Sequence, residues 1–269
     1  MISFLFWNMN GRDLAERTRR LAVNHDVDVL MLAECATSSA EMLAALNADG
    51  TRYYDAKGQC ESIRIFARFN HEYITAIKES DRLTIRCLRP PGSQEILLAV
   101  AHLPSKLFRD NDSQDAQCQV LARELEKLES QKGHSRTILV GDLNMDPFQP
   151  GVVNAAGLHG VMTRETASRG TRKVDGRPYK FFYNPMWSLF GDANKGPAGT
   201  YYRGTGSHKV YFWHMLDQVL IRPELLDSFR NEDLAILDRD GEMPLVDKKG
   251  HPDRASGSDH LPIVFKLEI

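Results

Sequence analysis

Leu139 to Pro147 reads LVGDLNMDP, an apolar run that passes directly into Asp142, Asn144 and Asp146 before a proline. Carboxylates and amides are costly to bury unpaired, and they hold water, phosphate or a hard cation well. An Asx-turn stopped by Pro147 accounts for this one segment equally well. The arrangement recurs, however. Asn8 and Asn10 close FLFWNMNG, Glu34 closes VLMLAEC and His102 closes LLAVAHL. Asp217 sits inside HMLDQVLI, and Asp259 and His260 precede the last apolar run in GSDHLPI. Each residue alone has an ordinary explanation as a turn former, a satisfied core histidine or the partner of a buried arginine. Together they are harder to explain, because each buried polar group left unsatisfied costs on the order of 1–3 kcal/mol. A hard divalent cation held by Glu34 and Asp259 would offset that cost, since Mg²⁺ prefers carboxylate oxygens and keeps several waters for a substrate.

Positioning these residues falls to short apolar runs rich in β-branched residues. ISFLFWN, VDVLMLA, SIRIFAR, EYITAIK, RLTIRCL, EILLAVAHL, TILVGD, HMLDQVLI and LPIVFKLEI read as strands. Leu14 to Val23, Ala40 to Leu46 and Ser113 to Leu128 carry apolar residues at helical spacing with charges between them. A strand–helix–strand opening, then a meander, one long helix and more strands predicts mixed sheets rather than a uniform parallel fold. Two such sheets face to face with helices outside would bury this many strands in a single domain over residues 1–269. Thr163 to Val210 is the one long region of weak periodicity, and such loops are usually functional or disordered.

Bulk properties narrow the class. Thirty-four Lys and Arg against 36 Asp and Glu leave a net charge of −2, which argues against non-specific nucleic-acid binding by the whole surface. Thr163 to Val210 departs from this balance, with nine basic residues (Arg164, Arg169, Arg172, Lys173, Arg177, Lys180, Lys195, Arg203 and Lys209) against three acidic ones. That stretch suits either a polyanion or a solvated loop. No apolar run approaches the ~20 residues that span a bilayer, and MISFLFWNMNGRD lacks the basic start of a signal peptide, so a first strand is expected. Cys35, Cys60, Cys87 and Cys118 form no CxxC pair, which argues against structural zinc and favours a reducing cytoplasm. Asn111-Asp112-Ser113 fits a glycosylation pattern that has no meaning without secretion.

WNMNG, LAE, AHLPSK, GDLNMDP, LDQVL and SDHLP, in this order across nearly the whole chain, resemble the endonuclease/exonuclease/phosphatase superfamily. The resemblance implies a four-layer αββα sandwich and phosphoester hydrolysis assisted by Mg²⁺ or Mn²⁺. It assigns Glu34 and Asp259 to the metal, with Asn8 and Asn10 beside it. Asp142 then orients or deprotonates the attacking water, and Asn144 donates to a phosphate oxygen. His260 contacts the scissile phosphate, Asp217 orients that imidazole, and His102 resembles the histidine of a THL motif whose threonine is replaced here by Ala101. The chemistry is coherent in its own right. An anionic phosphodiester needs charge neutralisation, an activated water and a stabilised leaving oxygen.

The substrate is less legible. A tyrosine-based repair motif is missing at AHLPSK, and no apolar hairpin marks a lipid-directed enzyme. GTYYRGTGSHKVYFWHMLDQVLI interleaves Arg203 and Lys209 with Tyr201, Phe212 and Trp213, which suits polynucleotide phosphates and bases unless those rings are simply core. A nuclease is therefore expected. A small phosphate ester and a non-cleaving nucleic-acid or nucleotide module are the alternatives, and no protein partner or membrane contact is deducible.

Overall fold

The computed structural model describes residues 1–105, 111–192, 194–206 and 208–269. In chain order the first strands and helices are β1 (Ile2–Arg12), α1 (Ala15–Asn24), β2 (Val29–Cys35), α2 (Ser39–Leu46), β3 (Tyr54–Asp55) and β4 (Ile63–Ala67). A meander follows of β5 (Ile74–Ser80), β6 (Leu83–Leu88) and β7 (Ile96–His102), then α3 (Asn111–Lys132) and β8 (Thr137–Asp142). Next come α4 (Pro150–Val153), β9 (Gly160–Val161), α5 (Arg164–Ser168), β10 (Thr171–Val174), β11 (Arg177–Lys180) and β12 (Phe182–Tyr183). The chain closes with β13 (Tyr201–Arg203), β14 (Phe212–His214), β15 (Asp217–Ile221), β16 (Ala235–Ile236) and β17 (Ile263–Leu267).

Six strands in the order β16-β17-β1-β2-β4-β3 form one mixed sheet, and seven in the order β5-β6-β7-β8-β15-β12-β9 form the other. Every side chain from Ile2 to Met9 is buried, so β1 reads as an unbroken apolar run and occupies the interior of its sheet. Phe4, Phe6 and Ile65 of the first sheet share one core with Val100, Ile138, Val140 and Val219 of the second. Helices α1 and α2 add Leu21, Ala22, Met42 and Leu46 to that core. A separate cluster lies under α3, where Cys118, Leu121 and Leu125 pack on Ala99, Leu139 and Leu220. Helix on sheet on sheet on helix is the four-layer αββα sandwich that the resemblance implies.

Sheet direction gathers the polar residues. Parallel β1 and β2 end at the same edge, as do parallel β7 and β8, whose register sets His102 opposite Asp142. The antiparallel strand β15 begins there, with Asp217 opposite Asp142, and β17 runs antiparallel to β1 just after Asp259 and His260. Gly141 makes the approach of β7 and β8 possible. A Cβ at this position would lie 1.8 Å from the Ala101 carbonyl oxygen.

The region from Thr163 to Val210 is more regular than its periodicity predicts. It holds α5, a β10–β11 hairpin turning at Asp175 and Gly176 (φ +49° and +78°), β12, and β13, which pairs with β14 just beyond its end in a second hairpin. Strands of two to four residues are too short to show an alternation, and the Asp-Gly turn is the one local signal of the first hairpin. Lys106 of AHLPSK lies outside the described residues.

Candidate active site

Asp142 stands at the centre of the edge where these strand ends meet, and it is 1% exposed. Its Oδ1 accepts the Asn144 backbone N–H at 2.8 Å, and its Oδ2 accepts Asn8 Nδ2 at 2.9 Å and Asn144 Nδ2 at 3.2 Å. His102 Nε2 and His260 Nε2 approach the same oxygen at 3.8 and 4.0 Å. Burial holds the Asp142 carboxyl above the usual carboxylate range, and neighbouring Asp217 adds to this against the pull of the two imidazoles.

His260 Nδ1 bonds Asp217 Oδ2 at 2.7 Å. Burial works against the imidazolium, but Asp217 and Asp142 outweigh it and raise the pKa to about 10. The ring is held from behind as well. Its backbone N–H donates to Ser258 Oγ, its carbonyl accepts Trp7 Nε1 at 2.9 Å, and Ser258 Oγ donates to the Asn8 carbonyl at 2.6 Å. Tyr201 packs on it with ring centroids 4.9 Å apart, while Thr200 Oγ1 accepts the Asp217 N–H.

Glu34 is exposed at the rim and its Oε1 lies 3.2 Å from His102 Nε2. The hydrogen bond from His102 lowers its pKa against partial desolvation. Asn8 faces two ways, since its Oδ1 accepts the Asn10 N–H at 3.0 Å while its amide grips Asp142. Asn10 is exposed at the rim. Asp259, partly buried, has Arg254 Nη2 at 3.8 Å. Asn10, Glu34 and Asn144 all take positive φ (+51°, +48° and +52°), so three of the nine residues singled out in the sequence sit in left-handed backbone conformations. Strain of this kind clusters where a fold must aim side chains at a substrate.

The donors suit a hard cation. Glu34 and Asp259 offer carboxylate oxygens and Asn8 an amide oxygen, with no thiolate among them. Asp142, Asp217 and His260 also converge, with ligand atoms within 4.8 Å of one another. Within that trio the 2.7 Å His260–Asp217 bond pairs the imidazole with one carboxylate.

Several participants carried no recognisable sequence signal. Ser258 and Trp7 lie inside SDHLP and WNMNG without an assigned part, and Tyr201 reads as core or stacking ring with equal ease. A further pair, Asp146 and His214, joins Oδ2 to Nδ1 at 2.9 Å, while Asp146 Oδ1 accepts the Met215 N–H. This ties the turn after β8 to the approach of β15.

Two mixed sheets packed face to face, with buried carboxylates and a charged imidazole at one edge, define a metal-dependent phosphoester hydrolase. The family model described as "Endonuclease/Exonuclease/phosphatase family" matches residues 5–260, and the chain belongs to that family. No curated protein matches it in sequence. Among solved structures, the fold is similar to D. rerio TDP2 complexed with single strand DNA product (14% identity, TM-score 0.57, covering 100% of this chain and 99% of that one). It is also similar to truncated Caenorhabditis elegans TDP2 (17%, 0.56, 100% and 98%) and to the human Nocturnin catalytic domain with bound sulfate anion (14%, 0.57, 99% and 94%). Identities this low speak for the fold. The expectation of an enzyme holds, which sets aside the non-cleaving module.

Proposed function

We propose that the protein is a nuclease that hydrolyses phosphodiester bonds in DNA or RNA with Mg²⁺ or Mn²⁺, and that Glu34 and Asp259 hold the cation with Asn8 and Asn10 beside it. The convergence of Asp142, His260, Asp217, His102 and Glu34 on one edge carries the reading. A bound divalent cation neutralises phosphate charge and polarises the phosphorus–oxygen bonds. Asp142 takes the proton of the attacking water. Its desolvated carboxylate is a stronger base than an exposed one, and Asn8 and Asn144 fix its direction. The Asn144 amide spends its hydrogens on Leu103 O (2.8 Å) and Asp142, so it serves the base more directly than the phosphate. His260, kept charged by Asp217, meets a phosphate oxygen as a cationic donor.

A nucleic-acid substrate is supported by the exposed Arg172, Lys173 and Arg177 on the β10–β11 hairpin and by the DNA product in the D. rerio TDP2 structure. A core continuous from Ile2 to Leu267 supports one domain over residues 1–269. Four free cysteines suit a cytoplasmic setting, and among the described residues no helix is long and apolar enough to cross a membrane. The test is cleavage of plasmid DNA and of RNA beside bis(4-nitrophenyl) phosphate. EDTA should abolish hydrolysis and Mg²⁺ or Mn²⁺ restore it. Full activity in chelator would sink the metal assignment, and turnover of the small diester alone would sink the nuclease reading.

A further inference from the structure

Beside Asp259 and His260 a cleft of about 370 Å³ opens between the β13–β14 hairpin and the loop that leads to β17. Tyr202, Arg203, His251 and Arg254 line it. Arg254 joins the cleft to the catalytic edge. Its guanidinium lies 5.3 Å from the centre of the Tyr201 ring, which packs on His260, and 3.8 Å from Asp259. Arg203 is exposed and has no carboxylate partner among the described residues. The two carboxylates on the wall, Asp247 and Asp253, are occupied within their own loop. Asp247 accepts the backbone N–H groups of Lys249 and His251, and Asp253 accepts the Ala255 N–H and the Ser256 hydroxyl. Arg203 thus remains the group most open to an anion, with Arg254, whose Nη2 donates to the Tyr202 carbonyl at 3.2 Å, beside it.

Aromatic surface adjoins them. Tyr202 stacks on His251 at 3.5 Å with the planes 9° apart, and Trp213 meets Tyr202 edge-on at 5.3 Å. Phe212 lies beside Tyr202 at 6.3 Å, takes φ +64°, and leaves its side chain 47% exposed. Bulky residues rarely adopt that conformation, and burial does not explain it here because the ring faces water.

We infer that this cleft is a subsite for the nucleotide one step beyond the pair that flanks the scissile phosphate, with Arg203, aided by Arg254, taking its phosphate and Phe212 stacking on its base. The inference rests on the nuclease reading and extends it. A guanidinium fork matches phosphate oxygens in pairs, and a base stacks on an aromatic face whatever its sequence. The subsite therefore rewards length in the substrate rather than a particular base.

The test compares single-stranded dinucleotides and hexanucleotides, DNA and RNA, for wild type, Arg203→Ala, Arg203→Lys and Phe212→Gly. Wild type should show a lower KM for the longer substrate. Arg203→Ala should raise the hexanucleotide KM about tenfold relative to the dinucleotide and flatten the log–log salt dependence by about 0.7. Arg203→Lys should recover part of the loss. Phe212→Gly should also lose length preference while keeping or raising Tm, because glycine accepts the positive φ; a merely structural ring would do the reverse. Equal losses at both lengths, or variants that track wild type, would overturn the subsite alone. Wild type that turns over bis(4-nitrophenyl) phosphate but no oligonucleotide would overturn the nuclease reading and the subsite with it.

Discussion

Asp217 and His260 differ in how their loss should be felt. On the proposed mechanism His260→Ala removes the charged donor to phosphate, a role typically worth roughly 10²–10⁴ in rate. Asp217→Asn keeps shape but weakens the 2.7 Å bond that aims and charges the ring, so a smaller loss is expected. The double mutant should be little slower than His260→Ala, since residues acting as one unit are non-additive. Single-turnover rates on one diester decide it. Losses that multiply would mean that Asp217 acts elsewhere, and its Oδ1, buried without a hydrogen-bond partner, would be the place to look. At this scale the sequence was most informative, because carboxylate, amide and imidazole at strand ends are visible in one dimension. Their division of labour was not. That Asn8 and Asn144 both grip Asp142 depends on register and rotamer, and the Asp146–His214 bond joins residues 68 apart in sequence.

Among the elements, the long apolar strands and the three longer helices follow from periodicity, whereas β9 and β12, at two residues each, carry no pattern of their own. They are held by partners instead. His159, just before β9, is buried, takes φ +51°, and contacts the Lys180 carbonyl through Nδ1 at 3.2 Å. Burial, reinforced by Arg172, lowers its pKa to about 4 from 6.5. Between these values the unfolded chain binds a proton that the folded one refuses, so His159 withdraws stability as pH falls from 6.5 towards 4. His159→Asn, which tolerates the positive φ, should remove that part of the acid-side decline. Tm measured across this window should therefore fall several degrees less in the variant than in wild type. Parallel curves would show that other groups govern the decline.

Taken whole, the protein is near neutral yet uneven in charge, and the β10–β11 hairpin projects Arg172, Lys173 and Arg177 into solvent. Reversing the charge of Arg172 and Lys173 should weaken binding of long nucleic acids and flatten its salt dependence, with losses that grow with substrate length. Equal losses on bis(4-nitrophenyl) phosphate would mean that the hairpin shapes the catalytic edge itself. The sandwich was legible from element order, but the meeting of its two sheets at one edge was not, because sequence alone does not give the pairing of β17 with β1.

That pairing carries a consequence in time. Asn8, Glu34, His102, Asp142 and Asp217 have all been synthesised well before His260, and β17, which anchors the His260 segment against β1, comes later still. A nascent chain on the ribosome therefore holds every acidic member of the centre except Asp259 while lacking the cation that completes it. On the nuclease reading, no phosphodiester, the message included, is cut before β17 has paired with β1 and set the His260 segment in place.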